Sequence, residues 1–551
     1  MWVYGDGARR LTVSEAAGEV EQALADAAGT QGLSRHAALT AALIAAGELW
    51  QGLADADDPA QTAASDWTHA IAEAVVASWR GNSVEASARP DSLDGTRELE
   101  LRRPEGYAFY ALYPETYAEA AARSGLPRNA RVVGLRSIGT SLAAAVAAAL
   151  DAPSAMTARP TGDPFARTVD DAALEAAVAG ATEATWAIVD EGPGLSGSSF
   201  GAVADALEQS GVARERMVVF PSHAGDLGSQ ASEAHRRRWS EVRRVHVGFD
   251  EAILPRLEGW IAEVVGPLTA PLADFSGGAW RERVYASENA WAPVNAAMER
   301  RKFLATTAGG AWLAKFVGLG RYGEAALRRA RAVHAAGFGA ETAGLAHGFL
   351  LTRWDDALTP LAEGEAPPPG VLADYLRLRA GLPAGADSGA SLEDLLRMGR
   401  RNTALGLGPE AAAAWDRFAD AAARLSLRRV QTDDRLQPWE WLRAPDGRMV
   451  KADATDHCAA HDLIGCQDIA WDVAGALSEF DLDADAADRL RRDVGVEAEL
   501  LAFMSPAFDA FQLGWWTLAA EAQAGWPAER VRLSRRVERH RARLAAWLES
   551  L

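Results

Sequence analysis

The chain has 551 residues, with 56 Lys plus Arg against 76 Asp plus Glu, 10 His, two Cys and a formal charge of −20. At about 150 residues per domain this is three or four domains with ample core, and so negative a charge disfavours sequence-independent binding to phosphate backbones. Two cysteines cannot staple so long a chain, no apolar run approaches the roughly 18 residues that span a bilayer, and Met1-Trp2-Val3-Tyr4-Gly5-Asp6 lacks the regions of a secretory signal, so the expectation is a soluble, cytoplasmic protein without a membrane partner.

Residues 10 to 90 are rich in alanine, with apolar residues at helical spacing in Ala37–Leu49 and Trp67–Trp79. They are assigned to a helical cap, residues 1–95. From Leu99 the texture changes. Tyr107–Tyr113 and Val132–Leu135 are predicted strands, followed by Trp186–Val189 and Met217–Phe220, with helices near 171–180 and 200–210 between them. Strand and helix alternate as in a parallel α/β sheet, placed at 96–265, and in such sheets ligands bind beyond the carboxyl ends of the strands. The basic run Arg236-Arg237-Arg238 reads as a solvated helix face.

Gly266–Gly278, rich in Pro and Gly, reads as a boundary, and strand-like Phe303–Thr306 and Ala311–Phe316 open a further domain, residues 280–551. Glu363–Gly370 carries three prolines and is a surface linker. The rest is predicted mostly helical, with a final helix from Arg530 to Leu551 packing by its apolar face.

Two loops carry the first chemical signal. After Trp186–Val189 comes Asp190-Glu191-Gly192-Pro193-Gly194-Leu195-Ser196-Gly197-Ser198-Ser199, then a helix with Phe200, Val203, Ala206 and Leu207 on one face. Small residues at a helix start let backbone N–H groups and hydroxyls converge on an anion, and the two carboxylates suit ribose hydroxyls or hydrated Mg²⁺. Val132–Leu135 runs likewise into Arg136-Ser137-Ile138-Gly139-Thr140-Ser141 and a helix. This pair of loops, within residues 99 to 250, resembles the phosphoribosyl-diphosphate (PRPP) signature of type I phosphoribosyltransferases. The resemblance implies that Arg136, Ser137, Gly139, Thr140 and Ser141 hold the leaving diphosphate, that Ser196, Gly197, Ser198 and Ser199 hold the 5-phosphate, and that Asp190 and Glu191 serve ribose and Mg²⁺. It further implies that the polar segment Arg159–Arg167 is a mobile loop over the centre and that Ser222-His223-Ala224-Gly225-Asp226 faces the acceptor. The acidic loop has one residue more than the usual form.

A second signal lies further on. Lys315 ends a strand-like run and Glu324 begins a helix, a pairing by which kinase-like folds grip nucleotide phosphates. Gln431-Thr432-Asp433-Asp434-Arg435-Leu436-Gln437-Pro438-Trp439-Glu440 precedes a hairpin and Met449-Val450-Lys451-Ala452-Asp453, and Asp468-Ile469-Ala470-Trp471-Asp472 follows. This order is similar to the aminoglycoside-phosphotransferase branch of kinase-like folds. The resemblance implies nucleotide binding by Lys315 and Glu324, catalysis by Asp434, metal ligation by Asp453 and Glu440, and bracing by the Asp468/Asp472 pair. Thr432 stands where that branch has histidine, and Glu440 where it has asparagine. An active kinase and a degenerate nucleotide-binding module both remain open.

Cys458, Cys466, His457 and His461 are compressed into ten residues, unlike the two separated pairs of structural zinc sites, and read better as a loop beside Asp453. The resulting expectation is an α/β chain: a parallel-sheet phosphoribosyltransferase-like domain with a helical cap, plus an α+β kinase-like domain. Its chemistry is Mg²⁺-dependent phosphoribosyl transfer from PRPP to a small-molecule acceptor, with Asp190, Glu191, Arg136 and Asp434 as catalytic groups and ATP as a further ligand. The alternative is a sensor that binds such ligands without chemistry. The partners are small molecules and, by resemblance, a second copy in a homodimer.

Overall fold

The computed structural model describes residues 8–550 apart from 297, 386, 387 and 461. His461 of the Cys/His group, and the amino-terminal residues read above, lie outside the described residues.

Alanine-rich periodicity gives three helices, α1 (Val13–Ala28), α2 (Gly32–Asp55) and α3 (Gln61–Trp79). A capping box between Thr12 and Glu15 starts the first. Strand β1 (Ala8–Thr12) pairs antiparallel with β2 (Glu98–Arg102), tying the cap to the chain that follows it. By length and composition α2 could cross a membrane, contrary to the expectation that no run is long and apolar enough. Its apolar surface is instead used inside the fold, where 78 % of that stretch is buried.

Tyr107–Tyr113 is not a strand. It folds as the short helix α4 (Glu105–Phe109) and a turn in which Ala111 has φ +52°. Pro104 and Pro114 bound the run, and all its side chains except Tyr110 are buried. Helix α5 (Pro114–Arg123) follows.

The parallel sheet has β3 (Arg131–Leu135), β4 (Met156–Ala158), β7 (Trp186–Val189), β8 (Met217–Phe220) and β9 (Arg243–Arg244), in the order β4-β3-β7-β8-β9. Every neighbouring pair is parallel. Helices α6 (Ile138–Ala149), α7 (Ala172–Ala179), α8 (Ser198–Gln209) and α9 (Glu233–Glu241) make the crossovers. Between β4 and α7, β5 (Thr161–Asp163) and β6 (Ala166–Thr168) form a hairpin from the polar segment read as a mobile loop.

Helices α10 (Phe249–Ala252) and α11 (Leu254–Val265) lead into the Pro/Gly-rich stretch, which contains β10 (Ala273–Asp274). After α12 (Arg281–Val284) come β11 (Lys302–Thr307), β12 (Gly310–Phe316), α13 (Arg321–Ala335), β13 (Thr342–Ala346) and β14 (Phe349–Trp354). These strands form an antiparallel sheet ordered β10-β11-β12-β14-β13. One apolar core runs unbroken from the cap through Leu142 of α6 and Tyr113 to Phe316, Phe349 and Leu351 of this sheet. The outer face of the parallel sheet has its own core around Val133, Ile188, Val203 and Val219.

The carboxy-terminal part is helical apart from a small sheet of β15 (Thr359–Pro360), β16 (Trp441–Arg443) and β17 (Met449–Lys451). Its core gathers Trp415, Trp441, Trp471 and Phe508 with Leu533 and Leu544 of the final helix, Pro527–Glu549. The fold is thus a mixed α/β one with both parallel and antiparallel sheets.

Candidate functional site

Strands β3 and β7 are neighbours, although β4 and the hairpin separate them in sequence. The chain leaves β3 for one side of the sheet and resumes on the other at β7, so the strand order reverses between them. That is the crevice where open α/β sheets bind ligands. Both small-residue loops open onto it.

Each loop feeds a twelve-residue helix with no side-chain cap: Ser137 precedes α6 with φ +115°, and Gly197 precedes α8 with φ +66°. First-turn N–H groups lacking a cap are donors available to an anion. Thr140 Oγ1, on the first turn of α6, is buried without a partner, as an anion site would leave it. The loops are pressed close. A Cβ on Gly134 would meet Gly139 O at 2.1 Å, and one on Gly139 would meet Val189 O at 2.7 Å and Asp190 Oδ1 at 3.3 Å.

Asp190 follows β7 directly; its carbonyl accepts from Tyr117 O–H at 2.8 Å, and burial pushes its carboxyl up to about 7 despite Arg167 and Arg159 nearby. Glu191 Oε2 accepts from the N–H of Gly106 at 3.0 Å. The additional loop residue is absorbed in a turn fastened to the chain after β8: Ser222 N donates to Gly192 O at 3.0 Å and Gly228 N to Gly194 O at 3.3 Å.

Not every expected residue faces the crevice. Arg136 is engaged by Asp171 at 3.2 Å and Asp55 at 3.5 Å and donates to Thr157 Oγ1, so its charge is already neutralised. Ser141 is turned inward to Tyr107 O–H, 2.9 Å away. Ser196 and Ser198 donate to the carbonyl of Pro164 at 3.1 and 2.7 Å, which sets the tip of the β5–β6 hairpin over the loop. Gly197 supplies the cap position, and Ser199 lies in the first turn of α8.

The second constellation forms a cleft. Lys315 of β12 is buried, with Nζ 2.8 and 2.7 Å from the two carboxylate oxygens of Asp453 and 2.8 Å from Asp456 Oδ1. Arg300 Nε is 2.6 Å from the other oxygen of Asp456. Burial would raise Asp453, but Lys315 and His457 hold it well below the ordinary carboxylate range. Burial would likewise lower Lys315, and the two aspartates keep it protonated. Glu440 faces Lys451 at 3.5 Å, and Lys451 Nζ donates to Asp453 O at 2.9 Å.

Glu324 does not pair with Lys315. It is on the exposed face of α13, 4.0 Å from Arg328, because the helix presents Gly323, Ala326 and Ala330 inward. The sequence reading missed Asp456 and Arg300. The charged run Glu299-Arg300-Arg301-Lys302 before a strand was the available signal.

Asp434 is not among the residues that line the cleft. Its φ is +65°, its carboxyl is buried with neither oxygen partnered, and burial and Asp472 push its pKa well up. Asp472 braces the loop by accepting from the N–H of Asp433 at 2.7 Å and of Asp434 at 2.9 Å. The next residue, Arg435, lines the cleft, with its guanidinium 4.0 Å over the ring of Trp515. Cys458 and Cys466 are buried free thiols beside this loop, with Cys466 Sγ 3.5 Å from Cys458 O.

No protein-family model matches the chain, and no curated protein matches it. Among solved structures it is similar to choline kinase LicA from Streptococcus pneumoniae, at 14 % identity over 44 % of this chain and 89 % of that one, TM-score 0.30. A choline/ethanolamine kinase family protein from Mesorhizobium loti is 17 % identical over 55 % of this chain and 98 % of its own, TM-score 0.35. A putative aminoglycoside phosphotransferase from Ralstonia eutropha is 13 % identical over 54 % and 98 %, TM-score 0.35. Each of these likenesses covers about half of this chain.

Proposed function

We propose that this chain is a two-site transferase, with phosphoribosyl transfer from PRPP at the ends of β3 and β7 and nucleotide binding in the cleft around Lys315. The observation that carries the first site is the placement of two uncapped helix N-termini and an acidic pair on adjacent strands at the point where the strand order reverses. A diphosphate would lie at the start of α6, beside Gly139 and within reach of the Thr140 hydroxyl. The 5-phosphate would take the start of α8, with Ser196 and Ser198 exchanging the Pro164 carbonyl for phosphate oxygens.

Asp190 and Glu191 fit Mg²⁺ and ribose, since both are oxygen donors and Mg²⁺ retains waters while bound through one or two carboxylates. When bound, Mg²⁺ supplies positive charge to the departing diphosphate. The protein's own part is positioning: helix N-termini aim at the developing negative charge, and the hairpin excludes water. No covalent nucleophile is required.

Phosphotransfer in the cleft is a second reading, favoured by the buried Lys315–Asp453–Asp456 cluster. Asp453 and Asp456 are oxygen donors suited to Mg²⁺, and the Lys315 ammonium suits phosphate oxygens. With Asp434 outside the cleft lining, a base for such transfer would come from Glu440 or Asp462, both on the cleft wall. Incubating the full-length protein with PRPP, Mg²⁺ and a panel of bases and small amines, while following diphosphate, tests the first site. Acceptor-dependent diphosphate release supports it, and PRPP left intact with every acceptor removes the transferase assignment. Consumption of ATP added with Mg²⁺ to the same acceptor panel, abolished in K315M, tests the second reading.

A further inference from the structure

A third cluster lies apart from both sites and joins three distant segments. His36 of α2, Glu115 of α5 and His347 of the β13–β14 turn converge in the core shared by the cap and the antiparallel sheet. His36 Nε2 is 2.8 Å and His347 Nε2 3.0 Å from Glu115 Oε1, and one donor atom from each residue falls within 4.8 Å of the others. All three are buried, at 6, 0 and 4 % exposure, which excludes a solvated surface cluster.

We propose that His36, Glu115 and His347 form a structural Zn²⁺ site that clamps the helical cap to the β13–β14 turn. Two imidazole nitrogens and a carboxylate are a donor set suited to Zn²⁺, whose protein ligands are held about 2.0–2.2 Å from the metal. Hydrogen bonding leaves the cluster lopsided. Three groups, His36, His347 and Thr40 Oγ1 at 3.1 Å, crowd one carboxylate oxygen, while Glu115 Oε2 is buried without a partner. An ion between the imidazoles engages that second oxygen and completes four donors from these residues alone.

The surroundings are those of an oriented ligand set. His36 Nδ1 is 3.1 Å from Ser78 Oγ; donation from Nδ1 to that hydroxyl leaves the Nε2 lone pair directed at the ion. His347 has φ +44°, a region L-residues seldom adopt, and its carbonyl accepts from Tyr113 O–H at 2.8 Å, which holds the turn and aims the ring. Trp79, Trp260 and Tyr113 wall the site, with ring centroids 5.8, 5.1 and 5.2 Å from the nearer imidazole. Because all three side chains are buried where the cap meets the antiparallel sheet, the role is structural, and metal binding here is coupled to docking of the cap.

The test uses the full-length wild type and E115Q, each incubated with Zn²⁺, dialysed into metal-free buffer and assayed for metal by mass spectrometry. The expected result is one more equivalent in the wild type than in E115Q, a melting temperature lowered by a strong chelator in the wild type alone, and visible ligand-field bands when Co²⁺ replaces Zn²⁺. Should E115Q not fold, H347Q serves as the comparison in every measurement, the Co²⁺ spectrum included. A wild type that retains no more metal than the variant, melts unchanged with chelator and gives no such spectrum overturns the proposal and leaves a hydrogen-bonded strut.

Discussion

The crevice of the parallel sheet and the cleft around Lys315 are built from different kinds of information. In the crevice every candidate group lies within ten residues of a strand end, and two adjacent strands bring the loops together. In the cleft the charges come from positions 300, 315, 435 and the pair 453 and 456, four stretches of chain far apart in sequence, and their roles are set by which of them neutralises which. In each, some of the expected residues come together and others are engaged elsewhere: Arg136 and Ser141 in the first, Glu324 in the second. The sites also differ in readiness. In the cleft, Asp453 and Asp456 are already paired with Lys315 and Arg300, and a metal or nucleotide would have to displace those pairs. The crevice needs only its hairpin to lift from Ser196 and Ser198.

The largest expected effect separates the two. D190N/E191Q should reduce PRPP-dependent turnover by at least about a hundredfold, in line with the loss of a preorganised charge-handling group, while ATP affinity is unchanged. Steady-state diphosphate release and ATP titration on one preparation check this, and a parallel loss of both activities would erase the distinction between the sites. K315M should abolish nucleotide binding and also destabilise the fold, because removing one partner of a buried ion pair costs about 3–5 kcal/mol. K315R, which keeps the charge, should recover stability ahead of affinity, as chemical denaturation and ATP titration would reveal.

G134A sharpens the claim that the crevice depends on close packing of β3 against the loop. With the new methyl directed at Gly139 O, overpacking should cost about 1–3 kcal/mol and weaken PRPP binding, while spectroscopic secondary structure remains. The smallest effect is expected at Asp434. Because Asp434 does not line the cleft, D434N should change ATP affinity by less than about twofold, below 0.5 kcal/mol. Its signature is in stability. The folded chain holds the Asp434 proton to a higher pH than the unfolded chain, whose value is near 3.8, so this group's contribution is present below that pH and is lost as pH rises. Urea melts across that range should fall more steeply for the wild type than for D434N, and a large loss of ATP binding in D434N would instead return Asp434 to the cleft.

The strands Val132–Leu135, Trp186–Val189 and Met217–Phe220 were legible almost to the residue, because short apolar runs bounded by polar turns have few alternatives in an α/β chain. Tyr107–Tyr113 was not. Its aromatic content suits a strand, but the fold uses the segment as a junction, with Gly106 held by Glu191 and the Tyr107 carbonyl by Leu319. Glu324 misled for the opposite reason: helical spacing places it on the outer face once Ala326 and Ala330 face inward. Asp434 and Arg435 show the limit of spacing arguments, since a single left-handed residue decides which of two neighbours enters the cleft. The His36–Glu115–His347 cluster, spread across the chain, carries no local pattern at all.

The claim that carries the account is that the crevice between β3 and β7 takes PRPP. Isothermal titration of the full-length protein with PRPP and Mg²⁺, beside the D190N/E191Q variant, tests it at equilibrium and without knowledge of the acceptor. Saturable binding to the wild type that the variant lacks is the expected result; no heat at millimolar PRPP in the wild type, or equal binding by both proteins, would contradict it.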